Sequence, residues 1–202
     1  HHAKTWTEDD PDLPLATPFP VTKASMLRKV ARDLFGVTGF KQLVGTSYLV
    51  MRVCRGEPVD AGTLPMRLER GPAIRMVFGT LVTNLALFAL LWSLGHPLLY
   101  LLWFGAWMTT NKLVARIRSI AEHAVVPDPS HPIGQTRTVT AGWLERLFIA
   151  PNGVQYHLEH HLLMTVPHYN LRRFHELLRE RGVLEDACVA DNYGQVLRQV
   201  VV

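Results

Sequence analysis

From Met76 to Asn111 the chain runs for 36 residues without an Asp, Glu, Lys or Arg. A helix exposed to water needs charged residues on its outer face, so a run of this length must either be buried or face lipid. Gly95-His96-Pro97, near its middle, is a turn signal. The run therefore divides into Met76–Leu94 and Pro97–Ala115, 19 residues each once Lys112 extends its ammonium towards water. A membrane-crossing helix needs about 20 mostly apolar residues, and each half reaches that length. The competing reading is a helical hairpin buried in a soluble protein. Against it, Leu, Phe, Trp and Ala fall on every helical face with no amphipathic period. Trp92, Tyr100, Trp103, Phe104 and Trp107 also suit a hairpin that faces lipid. Arg67, Arg70 and Arg75 precede the run and Lys112, Arg116 and Arg118 follow it, whereas the turn holds no Lys or Arg. That asymmetry places both flanks on the cytoplasmic side. Asn84, in mid-span, is expected to face a neighbouring helix.

Composition limits the remainder. With 48% hydrophobic and 19% charged residues, the chain is no disordered polymer. Its mean hydropathy of +0.09 is low for a bundle of membrane spans and high for a soluble enzyme. Two cysteines, Cys54 and Cys188, exclude a disulfide scaffold or a cysteine-based zinc framework and are expected to be free thiols. The formal charge of +4 comes with no aromatic-basic motif, so no nucleic-acid partner is expected. The opening residues, His1-His2-Ala3-Lys4, have no apolar core of the kind a signal peptide carries.

Residues 5–20, rich in Pro, Asp and Thr, read as irregular loop. Residues 23–54 mix basic and apolar residues as one or two amphipathic helices at the membrane surface would. Loops are expected at 55–65 and 127–140, and a helix continuing the second span at 112–124. Asn170 is placed to cap a helix from Leu171 to Arg181, with Gly182 just beyond it and an apolar stripe of Leu171, Phe174, Leu177 and Leu178. The fold class that follows is all-α: an integral membrane helical protein with a transmembrane hairpin at about 76–115 and a cytoplasmic helical cap.

The histidines supply the chemistry. Three stand in His157-Leu158-Glu159-His160-His161. At about 100° per residue, positions 157, 160 and 161 share an arc of about 100° on a helix, while Glu159 points the other way. Imidazoles converging from one face make a nitrogen site for a metal, the bland alternative being a cluster of solvated histidines. The hairpin returns the chain to the side it left, so His123 and the pair His1-His2 can join the three. His96 lies in the opposite turn and cannot. His131, His168 and His175 are expected at the surface or behind the ligands.

These residues carry a family resemblance. Tyr156-His157-Leu158-Glu159-His160-His161, followed by Val166-Pro167-His168-Tyr169-Asn170-Leu171, resembles the third histidine box of the membrane fatty acid desaturases. His1-His2-Ala3-Lys4-Thr5 with Asp9-Asp10-Pro11-Asp12-Leu13 resembles the tail of their second box and its acidic turn. Arg116, Arg118, Ala121, Glu122 and His123 resemble the segment that follows their last span and supplies a further ligand. The first box, the first spans and the first histidine of the second box have no counterpart here. A partial desaturase domain over 1–182, with a tail at 183–202, is therefore expected.

The resemblance implies a non-haem di-iron centre, two iron ions held by His1, His2, His123, His157, His160 and His161. Asn152, Glu122 and Glu159 would orient those imidazoles through their other nitrogens, and Asn152 could also reach a metal through water. Six ligands are too few for two irons at ordinary coordination numbers, so the chain alone is expected to be inactive. Removing hydrogen from an unactivated alkyl chain needs an oxidant that no side chain provides, and histidine-rich sites without thiolates suit iron. The expected activity is O2-dependent insertion of a double bond into the acyl chain of a membrane lipid or thioester. The electrons would come from a donor such as ferredoxin or a b-type cytochrome. Hydroxylation or ketolation of a lipid or carotenoid on the same scaffold is the alternative, and a non-catalytic membrane fragment is a third reading. Hydrolase elbows, phosphate loops and H-E-x-x-H are absent from the sequence.

Overall fold

The computed structural model describes the chain except His1, Ala3, residues 11–12 and residues 58–69. The expected ligand His1, the basic flank residue Arg67 and most of the 55–65 loop thus lie outside the described residues. In chain order the elements are α1 (Leu13–Ala16), α2 (Lys23–Leu34), α3 (Val37–Cys54), α4 (Arg70–Ser93), α5 (Leu99–Met108) and α6 (Thr110–His123). After β1 (Thr138–Val139) come α7 (Trp143–Phe148), α8 (His157–Leu162) and α9 (Leu171–Glu180), then β2 (Val189–Ala190) and α10 (Tyr193–Gln199). The protein is mostly helical, as its apolar patterning predicts, and its strands form one two-residue parallel pair. Two compact units divide the chain: Lys29–Leu113 is one, and His1–Arg28 with Val114–Val202 is the other.

In the first unit, α4 and α5 form the expected hairpin, turning at Gly95, whose φ of 78° favours glycine. The helix from Gly71 to Ser93 is long and apolar enough to cross a membrane, and its most apolar 18-residue window is not buried inside the protein. That exposure disfavours a soluble core hairpin, whose helices would be covered. Asn84 meets its neighbour: its Oδ1 accepts the Tyr100 hydroxyl at 2.9 Å, while its amide donates to the Thr80 carbonyl. Phe88 packs edge-on to the Tyr100 ring.

The second half of the run is not the single helix its composition predicts. It breaks at Thr109, with φ −118° and ψ −86°, so α5 has ten residues and spans only about 15 Å. The physical cause is local. The hydroxyls of Thr109 and Thr110 donate back to the carbonyls of Gly105 and Ala106, a back-bonding that bends helices, while Gly105 O still accepts the Thr109 amide at 3.0 Å. The break also presents the Met108 backbone to α3 at Gly39, where there is no side chain to keep it away. Residues 23–54 are two helices, and α3 packs along α4 and α5.

The second unit is built from two distant stretches of chain. Val21 pairs with the far stretch through Val21 N–H to Val200 O and Val202 N–H to Val21 O, both 2.9 Å. Its core joins Ile120 and Ala121 of α6, and Ala124 just beyond it, to Val139, Ala150, Ala190, Tyr193, Val196 and Val200. Residues 183–202, read from sequence as a tail, thus supply β2, α10 and much of the core. One carboxylate ties two helix starts together, since Glu145 accepts both the Gly142 and the Tyr193 amide. Within the stretches read as loop lie α1 and β1. Helix α9 ends one residue before the expected Arg181, and Asn170 closes a 3-10 turn at His168–Asn170 without a side-chain capping bond.

A Cβ at Gly39 would overlap the Met108 carbonyl oxygen, whereas nothing lies within 4 Å of one placed at Gly45. Gly39→Ala should therefore destabilise the detergent-solubilised protein by about 1–3 kcal/mol, as overpacking does. Gly45→Ala, on the same helix, should be neutral or stabilising; thermal unfolding of the pair checks this.

Candidate metal centre

His123 is the last residue of α6, and what holds it there is Arg137. That side chain, only 2% exposed, donates to the carbonyls of Ala121 (3.0 Å) and Val125 (2.9 Å), and its amide donates to Glu122 O. The guanidinium thus satisfies open carbonyls at the helix end and complements its partial negative charge. His157 and His161 lie one helical turn apart on α8. The helix is seated by Leu158, fully buried, and by a backbone bridge between Thr138 and Tyr156.

Three imidazoles converge. His157 Nε2 lies 2.9 Å from His123 Nε2 and 3.1 Å from His161 Nε2. The three ligand atoms are all within 4.8 Å of one another, the one such group of metal-ligating side chains among the described residues. Two of the rings hydrogen-bond an oxygen outside the cluster, and the third faces a carboxylate beyond hydrogen-bond distance. His123 hydrogen-bonds the Gln135 backbone, Glu122 Oε1 stands 4.0 Å from His157 Nδ1, and Thr5 Oγ1 is 3.4 Å from His161 Nδ1. Anchoring the outward nitrogens of His123 and His161 fixes their tautomers and leaves the inward lone pairs for a cation.

The electrostatics agree. Burial pushes His123 down to about 4, opposed by the nearby Asp10 carboxylate, and pushes His161 down to about 3 with help from its histidine neighbours. His157 is held well below the usual imidazole value by burial first and His123 second. At neutral pH all three are uncharged, the form that binds metal. A positive charge among them would also offset the unfavourable meeting of three lone pairs. The residues present therefore fit a nitrogen-ligated metal ion.

Of the other expected ligands, His2 and His160 stand beside this group without joining it. Their rings meet edge-on at 4.7 Å, and His2 also meets His161 at 4.6 Å. The His160 ring lies 6.1 Å from that of His157. Glu122 faces His157 as a carboxylate orienting its imidazole would. Glu159 turns away, fully buried, and accepts from Thr138 Oγ1 and His175 Nδ1, both at 2.5 Å. Asn152 is exposed in a 3-10 turn at φ 59°. Among the described residues, no hydrogen bond joins it to a histidine.

Sequence reasoning missed Thr5, Asp10, Gln135, Arg137, Thr138 and the role of His175. The opening loop is ordered: Asp10, buried, accepts the Trp6 amide, and the Trp6 indole donates to Gln135 O at 2.8 Å. A signal for His175 existed, because it falls between Leu171 and Leu178 on the apolar stripe of α9. Nothing local in the sequence marks Gln135 or Arg137.

The sequence model of the fatty acid desaturase family matches residues 1–193, and the chain belongs to that family. No curated protein and no solved structure matches the chain.

The depressed imidazoles make stability depend on pH. The unfolded chain takes up protons near pH 6.5 that the metal-free folded protein refuses until pH falls towards 4 and below. Stability is complete above about pH 6.5 and declines as pH falls through that window. Thermal melts of the metal-free protein between pH 7.5 and 4.5 should show this decline, and His161→Asn should flatten it. An unchanged slope would contradict the buried, neutral cluster.

Proposed function

We propose that this chain is part of a membrane-bound, O2-dependent desaturase that inserts a double bond into an acyl chain, its histidines supplying some of the ligands to two iron ions. The observation that carries the reading is the convergence of the ring nitrogens of His123, His157 and His161, in a chain of the fatty acid desaturase family. His123, His157 and His161 would hold one iron. His2 and His160 stand where donors to a second would be needed, with His1 the remaining candidate. Bound iron would supply the activation of O2 that removal of hydrogen from an unactivated carbon requires. The chain's own part is to hold neutral imidazoles, orient His157 through Glu122, and keep the buried Asp10 carboxylate near His123 and His161 to balance added positive charge.

The substrate reading rests on the membrane. A helix long and apolar enough to cross a bilayer brings the enzyme to acyl chains that are insoluble elsewhere. The basic flanks and charge-free turn support a hairpin that enters and leaves on the cytoplasmic side, a multi-pass topology in which the break at Thr109 lies within the second arm. There the centre would be open to a soluble electron donor such as ferredoxin or a b-type cytochrome.

Expression of the full-length gene product in a host with defined lipids, followed by mass spectrometry, tests the reaction. Desaturation removes the mass of two hydrogen atoms from an acyl product, whereas hydroxylation on the same scaffold adds that of one oxygen. The purified protein should contain iron, and His161→Ala should lose both iron and product. A wild type with neither iron nor altered lipid would be a non-catalytic membrane protein.

A further inference from the structure

Glu159 sits between two ligand-bearing positions of α8, yet it faces away from the imidazoles and is 0% exposed. Burying a carboxylate is costly unless its oxygens are hydrogen-bonded. Here each oxygen has one short partner: Thr138 Oγ1 donates to Oε2 and His175 Nδ1 to Oε1, both at 2.5 Å. The two partners come from different elements, β1 and α9. His175 is itself backed by the Tyr156 ring at 5.3 Å, and Tyr156 immediately precedes α8.

Helix α8 has six residues, has no side-chain cap at its start, and ends at Leu163 in a non-helical conformation. A helix so short holds its rotation and tilt by tertiary anchors rather than by its own hydrogen bonds. Leu158 supplies a non-directional anchor. Glu159 supplies directional ones, on the face opposite His157 and His161. Turning α8 far enough to break them would swing the imidazoles away from His123.

We propose that Glu159, clamped between Thr138 and His175, is a positioning residue that sets the convergence of His157 and His161 on His123. The inference rests on the metal-centre reading above and assigns His175 a place in it, behind the ligands rather than among them.

Cobalt(II) binding to the purified, detergent-solubilised full-length protein tests it, because ligand-field absorption reports metal geometry without turnover. Wild type should bind cobalt with a nitrogen-donor spectrum that His157→Ala abolishes. Glu159→Ala and His175→Ala should each weaken binding roughly 10–100-fold and shift the bands. The double variant should be no worse than the weaker single, since the two residues act as a unit. Glu159→Gln, whose amide can still accept from Thr138 and donate to His175 in its other tautomer, should restore the wild-type bands. Should Glu159→Ala fail to fold, His175→Ala, at a partly accessible site, decides alone. Wild-type affinity and bands in His175→Ala, or additive losses in the double variant, would overturn the positioning role while leaving the metal centre intact. A wild type that binds no cobalt, or binds it unchanged by His157→Ala, would sink the metal-centre reading and this inference with it.

Discussion

The geometry of the centre depends on one short stretch of backbone, residues 135–140. Gln135 receives the Trp6 indole and hydrogen-bonds His123. Arg137 closes the end of α6, and Thr138 reaches α8 by its hydroxyl and through the bridge to Tyr156. Val139 takes the Gln155 carbonyl, and Thr138 and Thr140 bond the chain around β2. Both α6 and α8 are therefore held through this segment, and Arg137, Thr136 and Thr138 are buried. A shift here would move the loop, α6 and α8 at once, so its two-sided bonding matters more than its two residues of formal strand.

The electrostatic logic is that of a neutral, poorly solvated cluster. Desolvation keeps three adjacent imidazoles uncharged, because charging any one would place a cation in a poorly solvated site beside its neighbours. Asp10, buried nearby, opposes that effect only partly. Such a pocket rejects protons and favours a cation that brings its own coordination bonds, which is how a protein can select metal over solvent acidity.

Legibility in the sequence followed the range of the interactions. The charge-free run with its glycine turn, the i and i+4 histidines of α8, and α9 with its apolar stripe were all readable, since each is written within a few residues. The break at Thr109 was not, because a hydroxyl that bonds back to a helix and a glycine on another helix look harmless in a linear reading. The ordering of residues 5–10, the core role of residues 183–202 and the Arg137 clamp were also hidden, since each exists only through partners far along the chain. The aspect of α8 that could be drawn on a helical wheel, Glu159 pointing away from the histidines, held true, but its destination at His175 required the fold.

The second unit interrupts itself: residues 1–28 and 114–202 share one core, with 29–113 between them. Thr5 meets His161 across 156 positions. During translation the apolar α4 emerges well before the ribosome has made α8. The nascent loop around Thr5 and Asp10 must then wait, with its final partners unsynthesised, and metal loading becomes a late event in the life of each molecule rather than an early nucleus of its folding.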